Sequence, residues 1–337
     1  MNKPILSICI PSYNRPIELD RLLRSIDYTG DDIEIVICED CSPKRQEICH
    51  VVEAFSKDTC YKILYHENIQ NCGYDKNLRE CIIHASGKWV MYMGDDDMFV
   101  PQMLDPYILF LKNHPELGYV LRSYQSIHSN GSIEKFKYFP DTCFFGPGLD
   151  TCAILFRKSL FISGFCFQRE YGMRDLTDAL DGSLLYQLYI LSEVCMKYPS
   201  AYFGEPITQS IDGGIPYFGS SETEKGIYTP GSITVENSVA FMKKYFVVTR
   251  YLDQKHHMNL TERVRKDLAK YSYPILSIQR EKGRKVFWKY HKELCKIGIN
   301  DSVYYYIYLF ALYVCGKNVC DNGIRAIKKC IGRTPQL

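Results

Sequence analysis

Trp89-Val90-Met91-Tyr92-Met93, running into Gly94-Asp95-Asp96-Asp97, is the stretch on which the fold turns. A short apolar run bounded by glycines reads as a buried strand. It delivers three carboxylates to one fixed point at its carboxyl end. Three earlier runs have the same character: Leu6–Ile10, Ile33–Cys38 and Tyr61–Tyr65. Between them lie stretches with helical spacing: Leu19, Leu22, Leu23 and Ile26; then Ile48, Val51, Val52 and Phe55; then Leu78, Ile82 and Ile83. Strands alternating with amphipathic helices over short links predict an α/β fold with parallel strands and right-handed crossovers. In such a sheet, ligands bind at the carboxyl ends of the strands. The turns Pro11-Ser12-Tyr13-Asn14-Arg15-Pro16 and Glu39-Asp40-Cys41-Ser42-Pro43 therefore belong on the same rim as Asp95–Asp97.

After Pro101 the pattern changes. A helix is predicted over 101–113, and a hairpin over 119–139 turning at Ser129-Asn130-Gly131. Cys152–Phe156 reads as a strand, and Thr177–Met196 as a helix starting among acids. Gly213–Ser232 is rich in Gly, Ser, Tyr and Pro without a period, and is expected to be a mobile loop that closes over a ligand. From Ile233 onward the spacing is mainly helical. This gives a domain over 1–212, with a ligand-binding half to about 105 and a second half to about 212, then the loop, then a helical region over 233–337.

The 337 residues carry 41 Lys+Arg against 39 Asp+Glu, a net charge of +2, which excludes a protein whose whole surface is a nucleic-acid-binding field. The 15 Cys are an odd number in a long chain without a secretory h-region, so they read as small apolar filler in a reducing, cytoplasmic setting. Cys38-Glu39-Asp40-Cys41 is a CxxC, but its first Cys ends a strand and no second CxxC completes a zinc site. His256-His257 has no third ligand at matching spacing and reads as surface. Val303–Cys315 is strongly apolar and is followed by Lys317, Arg325, Lys328, Lys329 and Arg333. It is too short to span a bilayer; it predicts a helix packed on the protein or lying at the inner face of a membrane.

Four groups of residues can carry chemistry. Asp95, Asp96 and Asp97 repel one another unless a cation sits among them, and Mg²⁺ or Mn²⁺ takes such oxygen ligands and bridges them to phosphates; the plainer reading is a turn capping the next helix. Asp40 can accept from a base imide or a ribose hydroxyl, or cap the following helix. Asn71-Cys72-Gly73, Asn77 and Arg79 open a helix whose N-terminus can meet a diphosphate, or are simple capping. Asp175, Asp178 and Asp181 lie three apart, so a helix start can aim one of them as a general base, or all can offset the helix dipole.

Taken together, these motifs resemble glycosyltransferase family 2. Ser7–Arg15 is similar to the family's opening strand and P-x-Y-N-R turn, and Ile35–Ser42 to its V-V-D-D-G-S. Asn71–Asn77 resembles N-x-G…N, Ala85–Val90 resembles A-x-G-x-Y-I, and Gly94–Pro101 resembles the DxD segment. The resemblance covers about residues 4–105 and thins toward 212. It implies a GT-A fold, Rossmann-like and mostly parallel, and an inverting transfer from a nucleoside-diphosphate sugar to a glycan acceptor, including lipid-linked acceptors of bacterial surface polysaccharides. It implies nucleotide contacts from Pro11, Tyr13, Arg15, Asp40, Asn77 and Asp95, a Mg²⁺ or Mn²⁺ ion on Asp96 with Asp97 beside it, and Asp181 as base with Asp178 as rival. Glu39 departs from the family's first Asp, and Gly94 heads the DxD stretch. A non-catalytic nucleotide-sugar-binding protein of the same fold is the alternative.

Overall fold

The computed structural model describes residues 3–211 and 233–331. The predicted loop 213–232 lies outside them. Two compact units divide the chain, the first carrying the described residues to 211 and the second those from 233.

The first unit opens with the alternation that the sequence predicts. Strands β1 (Leu6–Ser12), β2 (Ile33–Glu39), β3 (Lys62–Glu67) and β4 (Trp89–Tyr92) are separated by helices α1 (Pro16–Arg24), α2 (Arg45–Asp58) and α3 (Tyr74–His84). There follow β5 (Met98–Phe99), α4 (Leu104–Asn113), the hairpin β6 (Tyr119–Ile127) and β7 (Ile133–Phe136), β8 (Cys143–Phe145), α5 (Leu149–Phe156), β9 (Phe165–Gln168), α6 (Arg169–Arg174), α7 (Tyr186–Lys197) and β10 (Ser200–Ile211). The sheet order is β3-β2-β1-β4-β9-β6-β10-β5, with β7 on β6 and β8 on β10. The pairs β3–β2, β2–β1 and β1–β4 are parallel. Beyond β4 the sheet is mixed: β9 runs antiparallel to both β4 and β6, while β6 and β10 are parallel. Leu6, Ile8, Ile10, Ile35, Ile37, Trp89 and Met91 fill one core with Leu19, Leu22 and Leu23 of α1.

Two predicted elements are corrected. Cys152–Phe156 is helix, not strand: the Cys152 N–H donates to Gly148 O, and the Thr151 hydroxyl to Gly146 O, so the run is wound from its first turn. A short apolar run cannot be told from a buried helix by periodicity. The helix predicted over 177–196 begins only at Tyr186. Gly182 and Leu184 have φ of 80° and 61°, left-handed values that a helix cannot contain. Asp175, Asp178 and Asp181 therefore sit on a turn-rich segment, not on a helix face.

The second unit is helical, as expected: α8 (Val235–His256), α9 (Leu260–Lys270), α10 (Tyr273–Glu281), α11 (Arg284–Lys296), α12 (Val303–Cys315) and α13 (Lys317–Ile331). Thr234 caps α8 by accepting from the Asn237 N–H, as a Thr N-cap should. Leu252, Val264, Leu276, Phe287, Tyr290, Leu294, Tyr305 and Leu312 are buried in it.

Candidate active site

The parallel register sets the site. Ser12 ends β1 opposite Glu39 of β2, and the Asp40 N–H donates to Ser12 O at 3.1 Å. On the other flank β4 ends beside β1, and the Met93 N–H donates to Cys9 O. The turns after β1, β2 and β4 are thus brought together, as the sequence predicts. Pro11 lies within β1 in register with Cys38.

The turn after β1 grips the acids directly. The Tyr13 N–H donates to Asp95 Oδ2 at 3.2 Å, and Arg15 Nη1 to Asp95 Oδ1 at 3.0 Å. The same Nη1 lies 2.7 Å from Asp96 Oδ2. Arg21 donates to the Asp96 carbonyl. Asp95 and Asp97 are buried, whereas the Asp96 side chain is 41% exposed. Burial pushes the Asp95 carboxyl up to about 7, with the Asp96 charge adding to the rise and Arg15 opposing it. Burial, then Asp96, likewise pushes Asp97 up to about 7. Two of the three acids therefore lack full charge compensation.

Ser163 ties this turn to the middle of the sheet: its hydroxyl donates to Asp97 Oδ2 and accepts from the Gly94 N–H. A Cβ at Gly94 would lie 3.1 Å from both Asp96 Oδ1 and Ser163 Oγ. Glycine at the head of the acid triplet thus permits the close approach. The buried Arg122 holds the Ser163 turn, donating to Ser163 O at 2.6 Å and Phe161 O at 2.9 Å. Sequence reasoning did not find Ser163 or Arg122.

Asp40 does not cap α2, whose N-cap Lys44 makes no side-chain cap bond. Its carboxylate accepts from Asn68 Nδ2, Asn71 Nδ2 and the N–H groups of Cys72 and Gly73, all at 2.8–2.9 Å. It organises the approach to α3. Glu39 turns inward and accepts from the Ser42 N–H at 2.8 Å, and burial raises its pKa. Asn77 is buried and committed to packing: its Nδ2 donates to Cys38 O and its Oδ1 accepts from Asn68. Its open contact to a diphosphate is not available in this arrangement. Around these turns, Ser12 Oγ, Asn14 Oδ1 and Asn71 Oδ1 are buried without a hydrogen-bond partner among the described residues. Buried polar atoms without partners are costly, so this edge is built for polar groups that arrive from outside.

Asp181 is reached from α3. Arg79 forms a two-pronged ion pair with it, Nη2 donating to Oδ2 at 2.8 Å and Nη1 to Oδ1. Asp181 is the exposed partner, at 39%, and Arg79 the buried one, at 9%. The guanidinium also lies 5.3 Å from the Tyr186 ring. Asp178 is exposed, and its carboxylate has no partner among the described residues. The segment is fixed from below by Asp75, a buried acid that sequence reasoning passed over. It accepts from the Leu184 and Tyr186 N–H groups at 2.9 and 3.1 Å and from the Ser183 hydroxyl at 3.3 Å. Burial raises Asp75 to about 6. These bonds hold Leu184 in its left-handed conformation, the kind of local strain that functional segments store.

Comparison with known proteins bears on the family and the fold. The family model described as Glycosyl transferase family 2 matches residues 7–168. The abequosyltransferase RfbV of Salmonella typhimurium is 31% identical over 103 residues, 30% of this chain and 30% of that one. A Campylobacter jejuni GalNAc(5)-diNAcBac-PP-undecaprenol beta-1,3-glucosyltransferase is 26% identical over 164 residues, 48% of this chain and 49% of that one. These alignments span a third to a half of the relatives' own length. Among solved structures, S. aureus TarS 1–349 superposes with a TM-score of 0.52 at 15% identity, covering 88% of this chain and 90% of that one. The same TarS segment in complex with UDP-GlcNAc matches with the same score at 13% identity. The first unit is thus a GT-A type α/β domain, a mixed central sheet flanked by helices. Residues 7–168, a little under half of the chain, carry a glycosyl transferase family 2 domain.

Proposed function

We propose that the chain transfers a sugar from a nucleoside-diphosphate sugar to an acceptor hydroxyl, with inversion, in the assembly of a surface glycan. The observation that carries this reading is the acid turn after β4: Asp95 and Asp97 are buried and raised to about 7, Asp96 is exposed, and Arg15 pairs with Asp95 and Asp96 but not with Asp97. Such a site gains from added positive charge, and its donors are all oxygen, which suits Mg²⁺ or Mn²⁺. Asp96 would hold the ion, with Asp97 beside it; Asp95 is committed to Tyr13 and Arg15. When bound, such an ion neutralises a diphosphate and makes it a better leaving group.

The chain's own residues do the rest. The Ser12 hydroxyl donates to or accepts from the nucleoside, the amide oxygens of Asn14 and Asn71 accept from it, and Asp40 keeps the turn before α3 in place. A base N–H reaching Asp40 itself would take over one of the contacts now made by Asn68 or Asn71. Arg15 keeps Asp95 and Asp96 together as the charge of the site changes. Asp181, aimed by Arg79, takes the acceptor hydroxyl's proton as that oxygen bonds to the anomeric carbon. The bond from that carbon to the diphosphate breaks, and the nucleoside diphosphate leaves with the electron pair. One displacement of this kind inverts the carbon and needs no covalent intermediate.

The relatives support a glycan acceptor, and the undecaprenol-linked substrate in the name of one of them supports a lipid-linked one. No helix among the described residues is long and apolar enough to cross a membrane. On α12, however, Val303, Ile307, Phe310 and Val314 are more than half exposed. With the basic residues of α13 they suit a peripheral contact at a membrane's inner face. The testing experiment is release of nucleoside diphosphate from a panel of nucleoside-diphosphate sugars with Mn²⁺ and a lipid-linked glycan acceptor. Acceptor-dependent release from at least one donor is expected; no release from any donor would leave a binding protein.

A further inference from the structure

Away from the acid turn, three ligating side chains converge at the edge of the sheet. His66 lies on β3, the terminal strand; Glu80 and His84 lie four residues apart on α3, hence on one helix face. The imidazole rings of His66 and His84 have centroids 4.1 Å apart, and Glu80 Oε2 is 3.8 Å from His84 Nε2. One ligand atom from each of the three residues lies within 4.8 Å of the other two, and all three side chains are half-buried. We propose that His66, Glu80 and His84 bind a zinc-type divalent transition metal, at a site separate from the carboxylates of β4.

The donor set argues for the class of ion. Two imidazole nitrogens and one carboxylate suit Zn²⁺ or Co²⁺ and not the all-oxygen preference of Mg²⁺ and Mn²⁺. Three protein ligands leave a fourth position for water. Metal–ligand bonds of about 2.0–2.2 Å in a tetrahedron put ligand atoms about 3.4 Å apart. The present spacing therefore closes by roughly 1 Å, within reach of side-chain torsions at half-buried positions. The ion would clip the end of α3 to β3. Since α3 also carries Asp75 and Arg79, which fix the 181–186 segment, the clip steadies the helix on which the proposed base depends.

The test is a Co²⁺ titration of the chelator-stripped full chain, followed by Zn²⁺ displacement. One equivalent should appear with the intense visible absorption of a four-coordinate ion, whatever weakly absorbing Co²⁺ the all-oxygen acid turn takes up besides. In the double variant His66→Ala/His84→Ala the four-coordinate signal should need at least about 100-fold more Co²⁺; in Asp96→Asn that signal should titrate as in the parent. Unchanged affinity in the double variant, or loss in Asp96→Asn, would overturn the site. A readout on the parent chain covers the case of a variant that does not fold. Zn²⁺ should protect His66 and His84, but not the exposed His50, from diethylpyrocarbonate. Equal modification of all three would also overturn it.

Discussion

Among the described residues, Arg15 is the cation that pairs with both the Asp95 and the Asp96 carboxylate, so the charge balance of that pair turns on one side chain. The proposed base depends equally on one neighbour. Arg79 fixes the direction of the Asp181 carboxylate through their two-pronged ion pair. Asp178 has no such anchor. Direction decides, because a general base must be aimed at the acceptor. Asp181→Asn should therefore lower turnover by about 10²–10⁴-fold with donor affinity nearly unchanged. Asp178→Asn should turn over within a few-fold of the parent. Steady-state kinetics alongside equilibrium binding separates the two, and the reverse result would exchange their roles. Sequence reasoning reached Arg15, Asp40 and Asp95–Asp97 because each sits at the end of a strand that the pattern itself announces. It missed Asp75, whose partner Tyr186 is 111 residues away, and Ser163, 66 residues from Asp97. Nothing local marks such residues: an Asp in a first helical turn and a Ser in a loop have ordinary explanations.

At the scale of elements, Glu34 on β2 shows how the parallel half is pinned. It is buried, and it accepts from Ser7 Oγ at 2.7 Å, Ser86 Oγ at 2.7 Å and Lys62 Nζ at 2.8 Å, joining β1, β3 and the turn before β4. Burial works against its charge, but the bonds from Lys62, Ser7 and Ser86 outweigh it and hold the pKa at about 2, below the ordinary 4.5. A depressed folded-state pKa stabilises the fold above the unfolded value, and the contribution fades as pH falls from about 4.5 toward about 2. The shift corresponds to something on the order of 3 kcal/mol at neutral pH. Glu34→Gln should lose much of that at pH 7 in denaturant unfolding, with the gap to the parent narrowing from about pH 5 to about pH 3. A gap that does not change with pH would contradict this account. The parallel strands were legible because each is a continuous apolar run between turn residues. β10 was not, since Gly204 and Pro206 interrupt it and its register with β6 shifts there. The late start of α7 was hidden because Gly182 and Leu184 take left-handed conformations that long-range bonds to Asp75 impose.

Across the whole molecule, the helical unit carries the feature that the acceptor proposal needs. The exposed face of α12, with Phe310 at 71%, is apolar surface of the kind that marks an interaction site when it is contiguous. In flotation with anionic liposomes at low salt, the chain should rise with the lipid, and Ile307→Glu/Phe310→Glu should stay at the bottom. A parent chain that also stays down would remove membrane contact from the account. The first unit carries the central claim, that the acid turn after β4 serves a nucleoside diphosphate. Release of nucleoside diphosphate from the donor panel with Mn²⁺, run side by side on the parent and on Asp96→Asn, tests it most directly. The account predicts release by the parent and loss of it, by about 100-fold or more, in a well-folded Asp96→Asn chain. Equal release by the two would contradict it.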